Sequence, residues 1–301
     1  MVAKVEITFL GTADAIPTRE RNHTSILLNF EGENLLIDCG EGTQRQFRIA
    51  RLNPCKITRL LITHWHADHV LGIPGLLKTL ELSGYNKTLY IYGPKRTERF
   101  IKDLFGLFAI RPSYKVVVEE VHGKFFESED FLLMAEKMDH TLPCNAYSFV
   151  RRGKRRIDKG KLKRYRIKEG PLLQKLQEGK SIRCNGKKYS AKDLTYLEPD
   201  TKICFILDTV FNKKAISFAK DSDILICEAN FGAELADKAE ERKHLTSKQA
   251  AEIAKKARVK KLILTHFSQR YDKNPEQILE EAKEIFDGEV VLAKDFYKIE
   301  I

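Results

Sequence analysis

Short runs of Val, Ile, Leu and Phe recur along the chain and alternate with stretches whose apolar residues return every three or four positions. The first pattern marks strands and the second marks amphipathic helices. Strands are predicted over Val5–Leu10, Ser25–Phe30, Asn34–Ile37, Arg59–Thr63, Thr88–Tyr92, Val116–Glu120, Phe131–Met138, Ala146–Val150, Ile203–Leu207, Ile224–Glu228, Lys261–Leu264 and Glu289–Leu292. Helices are predicted over Thr43–Ala50, Ile73–Ser83, Thr97–Phe108, Lys213–Ala219, Ser247–Ala257 and Pro275–Phe286, with Ser247 placed as an N-cap. Strands cluster early and strand–helix units recur late. This favours an α/β sandwich of two mixed sheets with helices outside. Residues 151–197 break the rhythm with charge, Gly170-Pro171, Gly179 and Asn185-Gly186. They read as an insertion projecting from one domain, 1–301, rather than as a second domain.

Composition narrows the class. The 301 residues are 43% hydrophobic and 32% charged, which excludes general disorder. A chain of this length buries roughly three quarters of its unfolded surface. No apolar run approaches the ~18 residues of a membrane span. The stretch from Met1 to Leu10 carries a charge every few residues and reads as a first strand, not a signal peptide. Six cysteines, Cys39, Cys55, Cys144, Cys184, Cys204 and Cys227, are scattered without a Cys-x-x-Cys pair. Free thiols in a reducing cytoplasm are expected.

Charge is concentrated. Arg151 to Lys168 holds eleven basic residues against Asp158 alone, a local charge of +10 within a total of +11. Such a block suits a polyphosphate partner through phosphate contacts and counterion release. The competing reading is a solvated loop. A membrane surface fits less well, because the block lacks a Trp/Phe/Leu face.

The most informative stretch is Thr63-His64-Trp65-His66-Ala67-Asp68-His69, between the apolar Leu60-Leu61-Ile62 and the helix start Gly72-Ile73-Pro74-Gly75. Four ligand-type side chains fall within six residues. Imidazole with carboxylate suits zinc or a similar metal. On a loop, His64 and His66 can face one ion while Asp68 and His69 face a second. His140, Asp208 and His266 each stand at the end of a predicted strand, where α/β sites collect.

His64-x-His66-x-Asp68-His69, followed by His140, Asp208 and His266, resembles the metallo-β-lactamase superfamily. The resemblance implies a four-layer αββα sandwich. It also implies a first zinc on His64, His66 and His140, a second on Asp68, His69 and His266, and Asp208 bridging the two. Further segments resemble ribonuclease Z, the tRNA 3′-processing endonuclease family. These are Phe9-Leu10-Gly11-Thr12 with Pro17-Thr18-Arg19-Glu20-Arg21-Asn22, Glu228-Ala229-Asn230, and His244-Leu245-Thr246. Arg19 stands where that family usually has Lys, Asn230 where it has Thr, and Leu245 where it has Ser. The basic insertion falls where the family carries its tRNA-binding arm, with Gly170-Pro171 resembling the arm's Gly-Pro. Its compact length is nearer the archaeal style than the double-length eukaryotic form.

The family resemblance implies Asp68 as general base on the bridging water and His244, polarised by Glu228, as proton donor to the leaving group. A His–carboxylate couple suits that role. It points to Arg19, Arg21, Arg151, Arg152, Lys154, Arg155, Arg156, Lys161, Lys163 and Arg164 as RNA contacts. It also implies a homodimer in which one subunit's arm serves the other's site. The expected function is a cytoplasmic zinc endoribonuclease that removes the 3′ trailer of precursor tRNA. The cut leaves a 3′-hydroxyl on the tRNA and a 5′-phosphate on the trailer. The alternative is a small-molecule phosphodiesterase or thioesterase of the same superfamily, for which the basic block is superfluous. A non-catalytic RNA-binding relative would have lost its ligands, whereas all seven positions are filled. His23 and His122 are expected to have no catalytic role, and Trp65 to pack beneath the metal loop.

Overall fold

The structure, a computed structural model, describes residues 4–168 and 170–301. It divides into two compact units: Met1–Phe125, Leu133–Ser148 and Ile203–Ile301 form the first, and Phe126–Leu132 with Phe149–Lys202 form the second.

Two seven-stranded sheets organise the chain. The first runs in the order Lys298–Glu300, Glu6–Gly11, Ser25–Phe30, Glu33–Ile37, Arg59–Leu61, Leu89–Gly93, Val116–Glu120. It is antiparallel up to Glu33–Ile37 and parallel from there on. The second runs Glu289–Leu292, Lys261–Thr265, Ile224–Glu228, Thr201–Ile206, Cys144–Arg151, Phe131–Met138, Gly123–Glu127. Its first four strands are parallel. Parallel strands covered on both faces need continuous apolar sequence, and Ile224–Glu228 is buried at every position.

Alternate residues of each strand serve different layers. Leu10, Leu27, Leu36, Leu60 and Ile91 of the first sheet pack with Ile73, Leu76, Leu77 and Leu80 of the Ile73–Leu82 helix. Cys204, Leu225, Leu262 and Leu264 of the second pack with Ala250, Ile253 and Ala254 of the Ser247–Lys256 helix and with Ile278 of the Glu276–Lys283 helix. The intervening side chains, among them Phe9, Ile26, Leu28, Phe205, Ile226 and Ile263, are buried between the sheets. Tyr92 of the first sheet meets Phe125 at 4.9 Å, and Phe125 meets Tyr147 of the second at 6.1 Å. The result is the expected αββα sandwich.

Predicted and observed elements agree to within one or two residues for most of the sandwich. The edge strands Gly123–Glu127 and Lys298–Glu300 escape prediction because each is short and half-exposed. The N-cap of the Ser247–Lys256 helix is Thr246, not Ser247. The Thr246 side chain accepts from Gln249 N, and Gln249 reaches back to Thr246 N. The sequence places Ser and Thr side by side, and only the backbone angle at Thr246 decides between them.

The second unit has order of its own. Arg155–Ile157 pairs antiparallel with Thr195–Leu197. Ile182–Cys184 and Lys187–Tyr189 form a hairpin across Asn185-Gly186, both with positive φ, as a tight two-residue turn requires. Leu162, Ile167, Leu176, Ile182, Ala191 and Leu194 form a small apolar core.

Arg21 is a correction. Expected on RNA, it is buried. Its guanidinium donates to Thr12 Oγ1 and to the Ala293 carbonyl, each at 2.7 Å, and lies 4.7 Å from the centroid of the Phe267 ring. Asp295 beside it accepts from Thr12 Oγ1 at 2.8 Å, Asn22 N at 2.8 Å and Gln46 Nε2 at 2.9 Å. The Arg21-Asn22 pair therefore anchors the 17–22 loop to the C-terminal strands. R21K keeps the charge but loses the planar fork. It should lower stability by about 1–3 kcal/mol, whereas R19A, at an exposed position, should change it by less than about 0.5 kcal/mol. Denaturant titration checks this, and an R21K midpoint equal to wild type contradicts it.

Candidate metal centre

The site grows from strand ends at one edge of the sandwich. Glu33–Ile37 ends at Asp38, which has φ 57° and is fully buried. Its carboxylate accepts from Thr63 N and Thr63 Oγ1, both at 2.7 Å, and pairs with His69 Nδ1 at 2.7 Å. The loop after Arg59–Leu61 is thereby tied to its neighbour. It is tied on the other side by Asn145 N donating to Thr63 O at 2.9 Å and by the Tyr147 hydroxyl donating to Ile62 O at 2.7 Å. His64 is buried directly beyond this brace. The expected loop then becomes a short helix, Ala67–Val70, with His66 at its N-cap, Asp68 in its first turn and His69 in its last. Glycine is needed beneath it, because a Cβ at Gly40 would run into the Asp68 carbonyl and the His23 side chain.

Each remaining histidine is held by its outer nitrogen. His140 Nδ1 lies 2.9 Å from the Lys243 carbonyl, so it donates there. His266 Nδ1 lies 3.2 Å from the Asn230 side-chain amide. These partners fix the ring orientations and turn Nε2 of His266, like that of His69 and His140, toward the cluster.

The inner nitrogens converge. His64 Nε2 lies 2.9 Å from His66 Nδ1, which lies 3.1 Å from His140 Nε2. His69 Nε2 lies 3.2 Å from His266 Nε2. Asp68 Oδ2 is 3.3 Å from the former and 3.5 Å from the latter. Asp208 joins the two groups. Its Oδ2 is 3.4 Å from His64 Nε2 and 3.8 Å from His140 Nε2, and its Oδ1 is 3.4 Å from His266 Nε2. That Oδ1 is buried without a hydrogen-bond partner.

These residues fit a pair of divalent cations. Outer nitrogens of His69, His140 and His266 are engaged by other groups, which leaves the inner nitrogens and the carboxylates as a converging set of potential donor atoms. The three-histidine-plus-carboxylate and carboxylate-plus-two-histidine sets are those that suit zinc-like ions. The carboxylates call for positive charge, whether as protons on His69 and His266 or as a cation that displaces those protons. Burial raises Asp208 and Asp68, but the surrounding histidines outweigh it and hold both carboxyls well below the usual range. Burial and the neighbouring imidazoles hold His64 and His66 low, hence neutral. Burial alone would also lower His69 and His266, but the adjacent carboxylates raise both.

Beside this cluster stands His244, whose Nδ1 is 2.8 Å from Glu228 Oε2 and 3.8 Å from Asp208 Oδ2. Glu228 is fully buried and also accepts from Thr209 N at 2.7 Å. Burial lowers the His244 pKa, but Glu228 and Asp208 overcome it and raise it to about 9. All nine expected ligand and catalytic residues are thus in one place. Six of them, His66, Asp68, His140, Asp208, His244 and His266, line a cleft of about 760 Å³ whose walls add Asp14, Phe231, Lys238, Arg242 and Arg270. Sequence reasoning missed these wall residues, which carry no local pattern, and missed Asp38, which meets the strand-end criterion that singled out Asp208.

The expected RNA contacts divide. Arg19, Lys163 and Arg164 are exposed. Within the second unit, Arg152 pairs with Glu127 at 2.6 Å and Asp200 at 3.1 Å, Lys154 with Asp130 at 2.8 Å, and Arg156 with Glu198 at 2.9 Å. Lys161 lies 3.7 Å from Asp158. Arg151 and Arg155 donate to Thr201 at 2.6 Å and Thr195 at 3.0 Å. The block is thus partly neutralised by carboxylates outside it. His23 is buried, with Nε2 3.4 Å from the Ala15 carbonyl, whereas His122 is exposed. Trp65 donates to Thr97 Oγ1 at 3.0 Å and packs on Phe100.

A family profile described as the anti-Pycsar protein Apyc1 matches residues 5–103. Ribonuclease Z of Methanosarcina acetivorans is 35% identical over 99% of this chain and 98% of its own, and that of Archaeoglobus fulgidus is 38% identical over 98% and 97%. Among solved structures, the short form of human tRNase Z superposes with a TM-score of 0.70 at 29% identity, over 98% of each chain. Full-length similarity at this level, on a sandwich that gathers the histidines and aspartates described above, places the chain in the ribonuclease Z family: it is a metal-dependent endoribonuclease of the metallo-β-lactamase fold.

Proposed function

We propose that the protein cuts precursor tRNA at the 3′ end of the tRNA, using two zinc ions per chain, and leaves a 3′-hydroxyl on the tRNA and a 5′-phosphate on the trailer. The observation that carries this reading is the placement of His244, locked to Glu228, beside the Asp208 carboxylate that joins the two ligand groups.

His64, His66 and His140 would hold one ion, and Asp68, His69 and His266 the other, with Asp208 shared. When bound, the ions supply Lewis-acid chemistry: acidity for the attacking water and neutralisation of charge on the phosphoryl oxygens. Asp68, ionised and facing the cluster, takes the proton of that water as its oxygen bonds to phosphorus. His244, protonated at neutral pH, gives a proton to O3′ as the P–O3′ bond breaks. Glu228 holds the ring in position and stabilises its charged form.

Binding of the tRNA body is assigned to the second unit, through Lys163, Arg164 and the partly paired arginines. Exposed ion pairs are worth little, so phosphates can displace their carboxylates. The protein acts as a homodimer, and Leu71, Leu82, Leu107 and Phe108, each more than half exposed, offer apolar area for that contact. The six cysteines form no disulfide, which suits the cytoplasm, and no described helix is long and apolar enough to cross a membrane.

The direct test is a labelled precursor tRNA with the cut ends mapped, for the full chain and for a variant with 151–168 replaced by a short Gly/Ser linker. The deletion should abolish tRNA cleavage and spare hydrolysis of a small phosphodiester, because every ligand lies outside the segment. Wild-type affinity should fall ~10³–10⁵-fold between 50 and 200 mM salt if roughly 6–10 phosphates are contacted, and the deletion should flatten that slope. Unchanged tRNA cleavage with an unchanged slope contradicts the arm's role. Preserved diester hydrolysis with no tRNA cleavage by the full chain favours the small-molecule reading.

A pH profile tests the donor. His244 must be protonated to act, and its raised pKa keeps it so until pH rises through about 9. E228Q removes the largest charge that raises it. The alkaline limb of kcat should therefore move to lower pH in E228Q, and an unmoved limb contradicts the assignment.

A further inference from the structure

His244 stands on an irregular segment between the Ala236–Arg242 and Ser247–Lys256 helices. A proton donor on such a segment needs external support, because a displacement of about 1 Å can cost ~10²-fold in rate. The support begins with the segment that follows Glu228. Phe231 N donates to Leu245 O at 3.3 Å, and Ser247 N donates to Phe231 O at 2.9 Å. The segment after Glu228 and the segment that carries His244 are thus zipped together.

One carboxylate grips both loops. Glu281, on the Glu276–Lys283 helix, accepts from Ala233 N at 2.8 Å and from the Ser247 hydroxyl through the same Oε2. Ser247 is fully buried, and its hydroxyl is not needed to cap the helix, a task Thr246 performs. Glu281 Oε1 accepts from Gln277 Nε2 at 3.0 Å, which also donates to Glu234 Oε2 at 3.0 Å. Glu234 Oε1 accepts from the Tyr271 hydroxyl at 2.6 Å, and Tyr271 in turn accepts from Gly232 N at 2.7 Å. The polar groups of the Gly232–Glu234 turn are therefore spent on this network. Glu281 itself belongs to none of the potential metal-holding groups.

We propose that Glu281 is a positioning residue for the reaction: by bonding Ala233 N and Ser247 Oγ together it fixes the loop that aims His244 at the leaving oxygen. The proposal rests on the reading of His244 as proton donor. Glu281 lies outside the cleft lining and the potential metal-holding groups, so its removal should alter the rate of the step rather than the binding of RNA or metal.

The test is a double-mutant cycle on a labelled precursor tRNA, with kcat and KM measured for E281A, S247A, H244A and the two doubles with H244A. H244A should lower kcat by ~10²–10⁴-fold. E281A should lower it by roughly 10- to 100-fold, S247A by less, with KM and bound-metal content near wild type. E281Q, whose amide oxygen can still accept both bonds, should recover most of the rate. In the H244A background, E281A should add no more than about twofold, because the group it positions is gone. An undiminished E281A effect in that background assigns Glu281 to general stability and overturns the proposal. So does an unchanged kcat in E281A while H244A is crippled. A near-wild-type kcat in H244A overturns the donor reading and, with it, the proposal. If E281A does not fold, the S247A cycle decides by the same criteria.

Discussion

The rest of the molecule depends on a buried carboxylate that has no protein partner for one of its oxygens. Asp208 is nearly sealed from solvent, and imidazole nitrogens crowd it from both sides without donating to Oδ1. An ionised carboxyl in that position is costly unless positive charge arrives to balance it. The inward nitrogens of His64, His66, His140, His69 and His266 converge on the same space and offer it donor atoms. The proposed pair of divalent cations would meet both at once, with the sandwich holding these groups at fixed spacing.

That burden is visible in the backbone. Asp38, Asp208 and His266 all adopt positive φ, at 57°, 25° and 59°. Such conformations cost of order 1–3 kcal/mol each for residues other than glycine and persist only where the surroundings over-determine them. Here they sit at the ends of Glu33–Ile37, Thr201–Ile206 and Lys261–Thr265, strands whose inner residues are buried on both faces. The outer nitrogens of the ligands are fixed by groups from other loops: Asp38 for His69, the Lys243 carbonyl for His140, Asn230 for His266. Such partners set which nitrogen is free and where it points. The Lys243 carbonyl that orients His140 immediately precedes His244, so the ligand set and the donor loop share an anchor.

What was legible in the sequence follows from distance along the chain. His64 to His69 declares itself because four ligand types crowd one turn of backbone. His140, Asp208 and His266 are legible because a strand end is a recognisable place for a functional side chain. Asp38 occupies the same kind of place but follows a strand without another ligand nearby, and its partners Thr63 and His69 are 25 and 31 residues away. Arg21 misleads for the same reason. Its charge suggests RNA, but its acceptor at Ala293 lies 272 residues along the chain. The basic block is legible as charge and not as pairing, since Glu127 and Asp130 precede it and Glu198 and Asp200 follow it. Glu281 had no legible signal, because both bonds that give it importance go to residues 34 and 48 positions away in the chain.

The proposed chemistry depends on Asp208 and the converging imidazoles forming a site for two cations. Elemental analysis of the purified protein, after saturation with zinc and removal of free metal, measures this directly. Two ions per chain are predicted for the wild-type protein, and fewer for a D208A variant that retains the wild-type fold. One ion or none in the wild type, or an undiminished count in D208A, would contradict the two-cation site.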